Sequence, residues 1–70
     1  MPAATVESTT LTTVAYDPIR QLLRLQFRSR AVYCYFGVPE GVYQDLMAAD
    51  SKGSYFNRKI RGRFPYHRLT

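Results

Sequence analysis

QLLRLQFRSRAVYCYFG, residues 21–37, decides the fold because two apolar runs flank a short polar loop. In the first run Leu23, Leu25 and Phe27 alternate with polar residues, which is typical of a strand with one buried face. The second run begins at Ala31 and is dense in aromatic side chains. The two runs are therefore predicted to pair as an antiparallel hairpin.

The length of the hairpin loop sets which side chains share a face of the sheet. If Ser29 and Arg30 form the whole loop, alternate residues of the second run join the leucines in the core: Val32, Cys34 and Phe36. The opposite face then carries an aromatic pair beside polar residues: Tyr33 and Tyr35 with Arg24, Gln26 and Arg28. A three-residue loop would reverse both faces, and neither Ser29 nor Arg30 is a favoured residue for a tight turn.

The N-terminal part predicts a tail and one more strand. Residues 1–5 are small and are expected to form a flexible tail. The run of residues 6–16 is rich in Thr and Val, which suits a strand better than a helix. Asp17 and Pro18 should end that strand, because proline cannot donate to a ladder.

The C-terminal half predicts two helices and an extended end. Apolar residues recur at helical spacing over about residues 39–49, where Pro39 can occupy the first position. Asp50 or Ser51 could cap a second helix that carries Phe56 and Ile60 into the core. Gly62 should end this second helix. The last residues should form a fourth strand or a docked arm.

These elements predict one domain over residues 6–70. Its class is α+β, with a small three- to four-stranded antiparallel sheet and two short helices packed on one face. A chain of 70 residues has little room for a deep catalytic cavity. Its apolar share of 46% nevertheless argues for a folded core rather than a disordered chain.

The net charge of +5 is unevenly distributed along the chain. Residues 51–70 hold six basic residues and no acidic one: Lys52, Arg58, Lys59, Arg61, Arg63 and Arg68. A field of one sign attracts polyanions, so nucleic acid is the leading partner class. Solubility is the plain alternative explanation of the same charges.

Other function classes find little support in the sequence. Cys34 is the only cysteine and His67 the only histidine, which falls short of a structural zinc site. The two could act as nucleophile and base, but a cysteine in mid-strand is more often a small buried residue. We expect no enzyme activity, no metal and no cofactor. No stretch is apolar enough for a membrane helix, so we expect a cytoplasmic protein.

Several short motifs occur in a characteristic order: Tyr16-Asp17, the Tyr33-x-Tyr35 pair, Val38-Pro39, and the run ADSKGSYFN at residues 49–57, followed by Ile60-Arg61. This order resembles the KTSC domain, and the likeness extends from Val6 to Leu69. The resemblance implies a short α+β domain of bacterial or phage origin. It implies no particular activity, and RNA binding follows mainly because the family also occurs at the C-terminus of some lysyl-tRNA synthetases. The family tends to have glycine in the first hairpin turn, where this chain has Ser29 and Arg30.

The first functional hypothesis is a small nucleic-acid-binding module, with RNA favoured over DNA. Five basic residues would neutralise phosphates: Lys52, Arg58, Lys59, Arg61 and Arg63. Tyr33 and Tyr35 would stack on bases beside Arg24, although the tyrosines could instead brace a helix. The amides at the start of the second helix could hold a phosphate with Lys52, or Ser51 could simply cap that helix.

The rival hypothesis is a protein-interaction module, an adaptor or inhibitor that docks on an acidic surface of a bacterial partner. Exposed tyrosines and arginines are favoured anchors in protein interfaces, so the same surface would serve. We expect a monomer, or a weak homodimer that forms through an uncovered sheet edge.

Overall fold

The computed structural model describes residues 3–5 and 10–70. This part of the chain forms seven elements: β1 (Ala3–Thr5), β2 (Leu11–Asp17), β3 (Leu22–Phe27), β4 (Val32–Tyr35), α1 (Glu40–Ala48), α2 (Lys52–Lys59) and β5 (Tyr66–Arg68). The strands make one antiparallel sheet in the order β1-β2-β3-β4-β5. Each strand therefore pairs with the next strand in the chain. The predicted α+β class is confirmed.

The described residues contain one strand more than predicted. Ala3–Thr5, expected in the flexible tail, pair antiparallel with Thr13–Ala15 of β2. The tail prediction is wrong for these three residues, because their backbone groups complete the outer edge of β2. Residues 1, 2 and 6–9, which include the start of the predicted first strand, lie outside the described residues.

Phe27 and Ala31 form the closing pair of the hairpin between β3 and β4, so the loop contains three residues, 28–30. The Phe27 amide donates to the Ala31 carbonyl, and the Arg30 amide donates to the Phe27 carbonyl, both at 2.9 Å. Arg30 has a φ of 72°, the left-handed conformation that follows a type I turn in three-residue hairpin loops. This loop places Leu23 opposite Tyr35 and Leu25 opposite Tyr33.

The two-residue loop and the faces derived from it were therefore wrong. Tyr33 and Tyr35 lie on the face that carries Leu23, Leu25 and Phe27, which we call the leucine face. Val32 and Cys34 lie on the other face, where Cys34 is opposite Arg24, and Phe36 is 40% exposed rather than in the core. The reason is that side chains alternate along a strand, so one added loop residue moves each of them to the opposite face.

The hydrophobic core lies between the leucine face and both helices. Leu46 of α1 and Ile60 at the end of α2 are completely buried, as are Leu23 and Leu25 of β3. The ring of Tyr43 in α1 stacks on Tyr16 at a centroid distance of 4.7 Å. The packing of both helices on one face of the sheet is thus confirmed.

The Tyr16 side chain illustrates how a polar group is accommodated in this core. Its ring is buried, and its hydroxyl donates to the Val38 carbonyl, which keeps both polar groups satisfied. Burial raises the pKa of Tyr16, and the nearby carboxylates of Glu40 and Asp17 raise it further. The hydroxyl therefore stays protonated and serves as a fixed link between β2 and the segment before α1.

Local sequence signals set the bounds of α2. Ser51 is the N-cap, and its hydroxyl accepts from the Ser54 amide at 3.2 Å. Ile60 caps the other end, and Gly62 has a φ of 73°, which lets the chain turn toward β5. The predicted second helix, with Phe56 and Ile60 in the core, is confirmed. The predicted strand at the C-terminal end is confirmed as β5.

Gly53 lies where α2 approaches the start of β2. A Cβ atom at this position would lie 2.3 Å from Thr10 Oγ1 and 2.9 Å from Thr10 Cβ, well inside van der Waals contact. Gly41 in α1 has nothing within 4 Å of the same ideal position. The close approach at Gly53 therefore requires a residue without a side chain.

We predict that Gly53→Ala lowers the free energy of unfolding by about 1–3 kcal/mol, because the added methyl forces α2 away from Thr10. Gly41→Ala is the matched control and should raise it by up to about 1 kcal/mol, because alanine is the better helix former. Urea denaturation of both variants measures the two changes. A Gly53→Ala protein as stable as the wild type would contradict the close packing of α2.

A second prediction concerns the hairpin loop. Arg30→Gly should raise the free energy of unfolding by about 0.5–1 kcal/mol, because glycine adopts the left-handed conformation without the strain of a side chain. Ser29→Gly, at a neighbouring residue without a positive φ, should lower it by about 0.5–1 kcal/mol. Thermal denaturation distinguishes the two variants. Equal shifts in both would contradict the three-residue loop.

Candidate nucleic-acid interface

An open cleft of about 570 Å³ lies on the leucine face, between α2 and the last two strands. We call it the aromatic cleft. Three sets of residues line it: Phe27, Tyr33, Tyr35 and Tyr66 from the sheet, Phe56, Asn57, Arg61 and Gly62 from α2 and its end, and Thr10, Ser29 and Ala31 near the hairpin loop. The cleft thus joins parts of the chain that are distant in sequence.

The aromatic side chains of the cleft contact one another continuously. The Phe56 ring meets Phe27 and Tyr35 edge-on, at centroid distances of 5.3 and 5.7 Å. The Tyr66 ring lies 5.4 Å from Tyr33 and 5.5 Å from Tyr35. Tyr66 is nevertheless 58% exposed, so most of its surface is free to contact a ligand. The cleft therefore combines a buried aromatic base with an accessible aromatic rim.

The electrostatic character of the cleft is positive. Arg61 lines it, and the guanidinium of Arg68 lies 5.7 Å from the centroid of the Tyr33 ring, a distance typical of a cation–π contact. Among the described residues, no carboxylate lines the cleft. An anionic ligand would meet arginine there without repulsion from an acidic side chain.

The pKa of Tyr35 depends both on the burial of its side chain and on the neighbouring side chains. Burial raises the pKa of Tyr35, the nearby phenols of Tyr33 and Tyr66 raise it further, and the positive charge of Arg61 opposes them. The net effect is a raised pKa, so the hydroxyl is neutral at physiological pH. At that pH Tyr35 contributes an aromatic surface and a neutral hydroxyl to the cleft.

The structure brings together three of the predicted site residues, Tyr33, Tyr35 and Arg61. Arg24 does not join them, because it is exposed on the opposite face of the sheet. The remaining predicted residues lie outside the cleft lining: Lys52, Arg58 and Lys59 within α2, and Arg63 after it. They add to the positive charge of the domain but do not form the wall of the cleft.

Lys52 and Ser51 have structural contacts at the start of α2. The Lys52 ammonium donates to the Ala49 carbonyl at 3.2 Å, at the end of α1, while Ser51 caps α2. A second hollow of about 460 Å³ lies beside them and includes two carboxylates, Asp45 and Asp50. These negative charges oppose a phosphate at this helix terminus. The capping role of Ser51, which the sequence left open, is the one observed.

Arg58 belongs to the second hollow rather than to the aromatic cleft. Its Nε donates to the Ser54 carbonyl at 3.4 Å, and its side chain lines the hollow that contains Asp45 and Asp50. Burial raises the pKa of the neighbouring Tyr55, and Asp45 raises it further. The local charge around Arg58 is therefore mixed, unlike the charge around Arg61.

The predicted site did not include three residues that line the cleft, Phe27, Asn57 and Tyr66, nor Arg68, which contacts the Tyr33 ring. Phe27 was expected in the core alone. Tyr66 and Arg68 reach the cleft because β5 pairs with β4 and places them opposite Tyr35 and Tyr33. The alternation of Tyr66 and Arg68 about His67 was the available signal, but its use required the correct faces of β4.

Cys34 and His67 lie opposite each other in β4 and β5, on the face away from the helices. Burial raises the pKa of the Cys34 thiol, and the positive charge of Arg24 opposes this effect without reversing it. The thiol is therefore poorly suited to act as a nucleophile at neutral pH. The described residues contain no group of three or more His, Cys, Asp or Glu side chains placed to bind a metal.

None of the helices in residues 3–5 and 10–70 has the length and apolar character needed to cross a bilayer.

The protein is a small α+β domain. It consists of a five-stranded meander with two helices on one face, and the aromatic cleft lies between α2 and the sheet. Comparison with known proteins assigns its family: residues 7–64 match the KTSC domain. The chain belongs to the KTSC domain family. A crystal structure of a KTSC domain protein from Yersinia pestis superposes with a TM-score of 0.95 at 36% identity, over 99% of this chain and 97% of that one.

The sequence relatives fall into two groups by length. A protein of Tsukamurella paurometabola is 42% identical over 59 residues, which cover 84% of this chain and 88% of that protein. A lysine-tRNA ligase of Nostoc sp. is 46% identical over 55 residues, which cover 79% of this chain but only 10% of the ligase. The chain thus corresponds to about a tenth of the ligase. The expectation that it has no enzyme activity of its own stays a prediction.

The raised pKa of Tyr35 predicts a change in stability at alkaline pH. Below the ordinary phenol pKa of 10.0 the hydroxyl is protonated in both states, so it contributes no pH dependence. Above that value the unfolded chain ionises first, and the free energy of unfolding falls as the pH rises through the folded pKa. Tyr35→Phe should lose less stability than the wild type between about pH 9 and pH 11. Urea denaturation across this range measures the difference, and identical losses would contradict the burial of this phenol.

Proposed function

We propose that this domain binds single-stranded nucleic acid, RNA in preference to DNA, through the aromatic cleft. The observation that carries the proposal is a set of contiguous aromatic rings with arginines at the rim and no carboxylate in the described lining. Every base has an aromatic face, and stacking on an aromatic side chain contributes about 1–3 kcal/mol per base. Tyr66 and Tyr33 are the proposed stacking partners. The buried Tyr35 ring packs against both of them.

The phosphates would bind to the arginines around the cleft. Arg61 is the central contact because it lines the cleft, and Arg68 reaches it from β5. Lys59 and Arg63 are exposed beside Arg61 and extend the positive surface. Lys52, Arg58 and Arg24 lie farther away and add to the long-range field, which speeds the encounter with a polyanion.

The preference for RNA rests on the relatives. Several of them are parts of lysine-tRNA ligases, whose name states that they act on a tRNA. A domain joined to such an enzyme is well placed to contact RNA. An RNA ligand is also consistent with the cytoplasmic location that we propose. The ligase reaction itself belongs to a protein about ten times longer than the matched region.

Fluorescence anisotropy of a labelled single-stranded RNA, with the matching DNA, tests this proposal. The titrations are made at three or more salt concentrations. We expect micromolar or tighter binding whose logarithm falls linearly with the logarithm of the salt concentration, because bound phosphates release counterions. RNA should bind more tightly than DNA. Absence of binding at low salt would overturn the proposal.

The two exposed arginines near the end of α2 provide a matched pair of variants. Arg61→Ala should weaken binding to all sequences and reduce the salt slope by about 0.7, the value for one phosphate contact on a single strand. Arg58→Ala removes the same charge from the hollow that contains Asp45 and Asp50, and should change the slope by less. Equal effects of the two substitutions would argue against the aromatic cleft as the binding site.

A protein-interaction module is the second candidate, and a specific observation favours it. Ile19 is 92% exposed at the tip of the turn between β2 and β3. The turn is held in place, because the Asp17 carboxylate accepts from the Ile19 and Arg20 amides at 3.0 and 3.2 Å. An exposed aliphatic side chain on a turn with a held backbone, beside an arginine, could contact a protein with an acidic rim.

Affinity capture from bacterial lysate, with and without nuclease, separates the two candidates. A protein partner that is retained after nuclease treatment, and is lost from Ile19→Ser, would support the second candidate. Arg61→Ala is the control for the nucleic-acid surface. Partners that disappear with nuclease and are unaffected by Ile19→Ser would support the first.

A further inference from the structure

We propose that the aromatic cleft holds one unpaired adenine ring and that Asn57 recognises its edge. This inference rests on the proposed function, because it assumes that the cleft is the place where a base binds. It adds the identity of the base and the residue that selects it.

The size of the cleft suits a single base with its sugar. Its volume of about 570 Å³ lies within the range of about 300–1,000 Å³ found for small-molecule sites, and leaves room for a purine with its sugar. The β3–β4 loop and Thr10 are held together where the Arg28 amide donates to the Thr10 carbonyl at 2.9 Å. Thr10, the loop residue Ser29 and the adjacent Ala31 line the cleft at this point. A single base would lie against them.

Asn57 supplies the polar group that would contact the base. This residue lies in α2 and lines the cleft together with Arg61, which follows the end of that helix. Within the described part of the chain, the Asn57 amide has no hydrogen-bond partner. Its side chain offers one acceptor and one donor group in one plane. Asparagine pairs with adenine in this way, since adenine presents a donor at N6 beside an acceptor at N7.

Adenine fits this cleft better than the other bases do. Guanine presents two acceptors on the same edge, which match an arginine rather than an asparagine. Arg61 is the arginine of the cleft, and the proposed function commits it to phosphate. Pyrimidines have one ring and cover less of the Tyr66 and Tyr33 surfaces than a purine does. The set of Asn57 and aromatic rings therefore fits adenine best.

The experiment uses four RNA octamers of uridine that carry A, G, C or U at one central position, measured by competition anisotropy with the full chain. We expect the octamer with adenine to bind about tenfold more tightly than the all-uridine octamer. Asn57→Leu should reduce that ratio to less than about twofold. Gln44→Leu, a change to an exposed amide on α1, is the matched control and should keep the wild-type ratio.

Adenosine monophosphate and uridine monophosphate form a separate arm, because an adenine could come from RNA or from a free nucleotide. Displacement of the adenine octamer by the adenosine nucleotide, and not by the uridine one, supports the inference. If the nucleotide binds as tightly as the octamer, the free nucleotide is the source. If the octamer binds more tightly, RNA is the source.

The outcomes separate this inference from the proposed function. Equal affinity of all four octamers, or an adenine preference that persists in Asn57→Leu, would overturn the inference and leave RNA binding intact. No binding of any octamer would overturn both. Asn57 is exposed, so its variants should fold, and circular dichroism checks this. Asn57→Ala provides a second substitution if the leucine variant aggregates.

Discussion

The left-handed backbone of Arg30 determines that the aromatic side chains of β4 lie on the face of the sheet that packs against the helices. Its amide closes the turn on the Phe27 carbonyl, and the third loop residue shifts the register of β4 by one position relative to a two-residue loop. Tyr33 and Tyr35 consequently lie beside Leu25 and Leu23. The pairing of β5 with β4 then brings Tyr66 onto the same face. The contacts of Tyr33, Tyr35 and Tyr66 in the aromatic cleft therefore depend on the conformation of this one residue.

Helix α2 connects the hydrophobic core with the cleft. Its Phe56 ring packs edge-on against Phe27 and Tyr35, so the same side chain is part of the core and of the cleft wall. Gly53 allows the helix to approach Thr10 closely enough for this contact. Asn57 lies within α2, and Arg61 follows the helix, where its amide donates to the Phe56 carbonyl at 2.8 Å. Polar residues held by a helix and its end are a sound basis for a selective site.

Sequence reasoning succeeded where the signals are local. Ser51, Gly62 and the spacing of Phe56 and Ile60 lie within one helix and its ends, so their roles follow from capping and periodicity. It failed at Arg30, because an arginine side chain gives no indication of a left-handed backbone, and the error moved Tyr33 and Tyr35 to the wrong face.

The aromatic cleft could not be predicted from the sequence, for a related reason. Tyr66 and Tyr33 are brought together by strand pairing between distant segments, and their residue types do not specify that pairing. The edge strand β1 was missed because Ala3–Thr5 carry no alternating pattern to mark them. The register of a sheet depends on contacts that single positions do not encode, whereas the bounds of a helix depend largely on its own residues.

The place of β5 in the sheet has a consequence for the motions of the domain. This strand is three residues long, lies at the edge, and has all its side chains exposed, unlike the buried strands β2 and β3. Short edge strands with few buried contacts open at a smaller free-energy cost than the centre of a sheet. The wall that carries Tyr66 is therefore expected to open more easily than the central strands of the sheet. A ligand that contacts both Tyr66 and α2 would hold this edge closed, so binding and the order of the last strand are thermodynamically coupled.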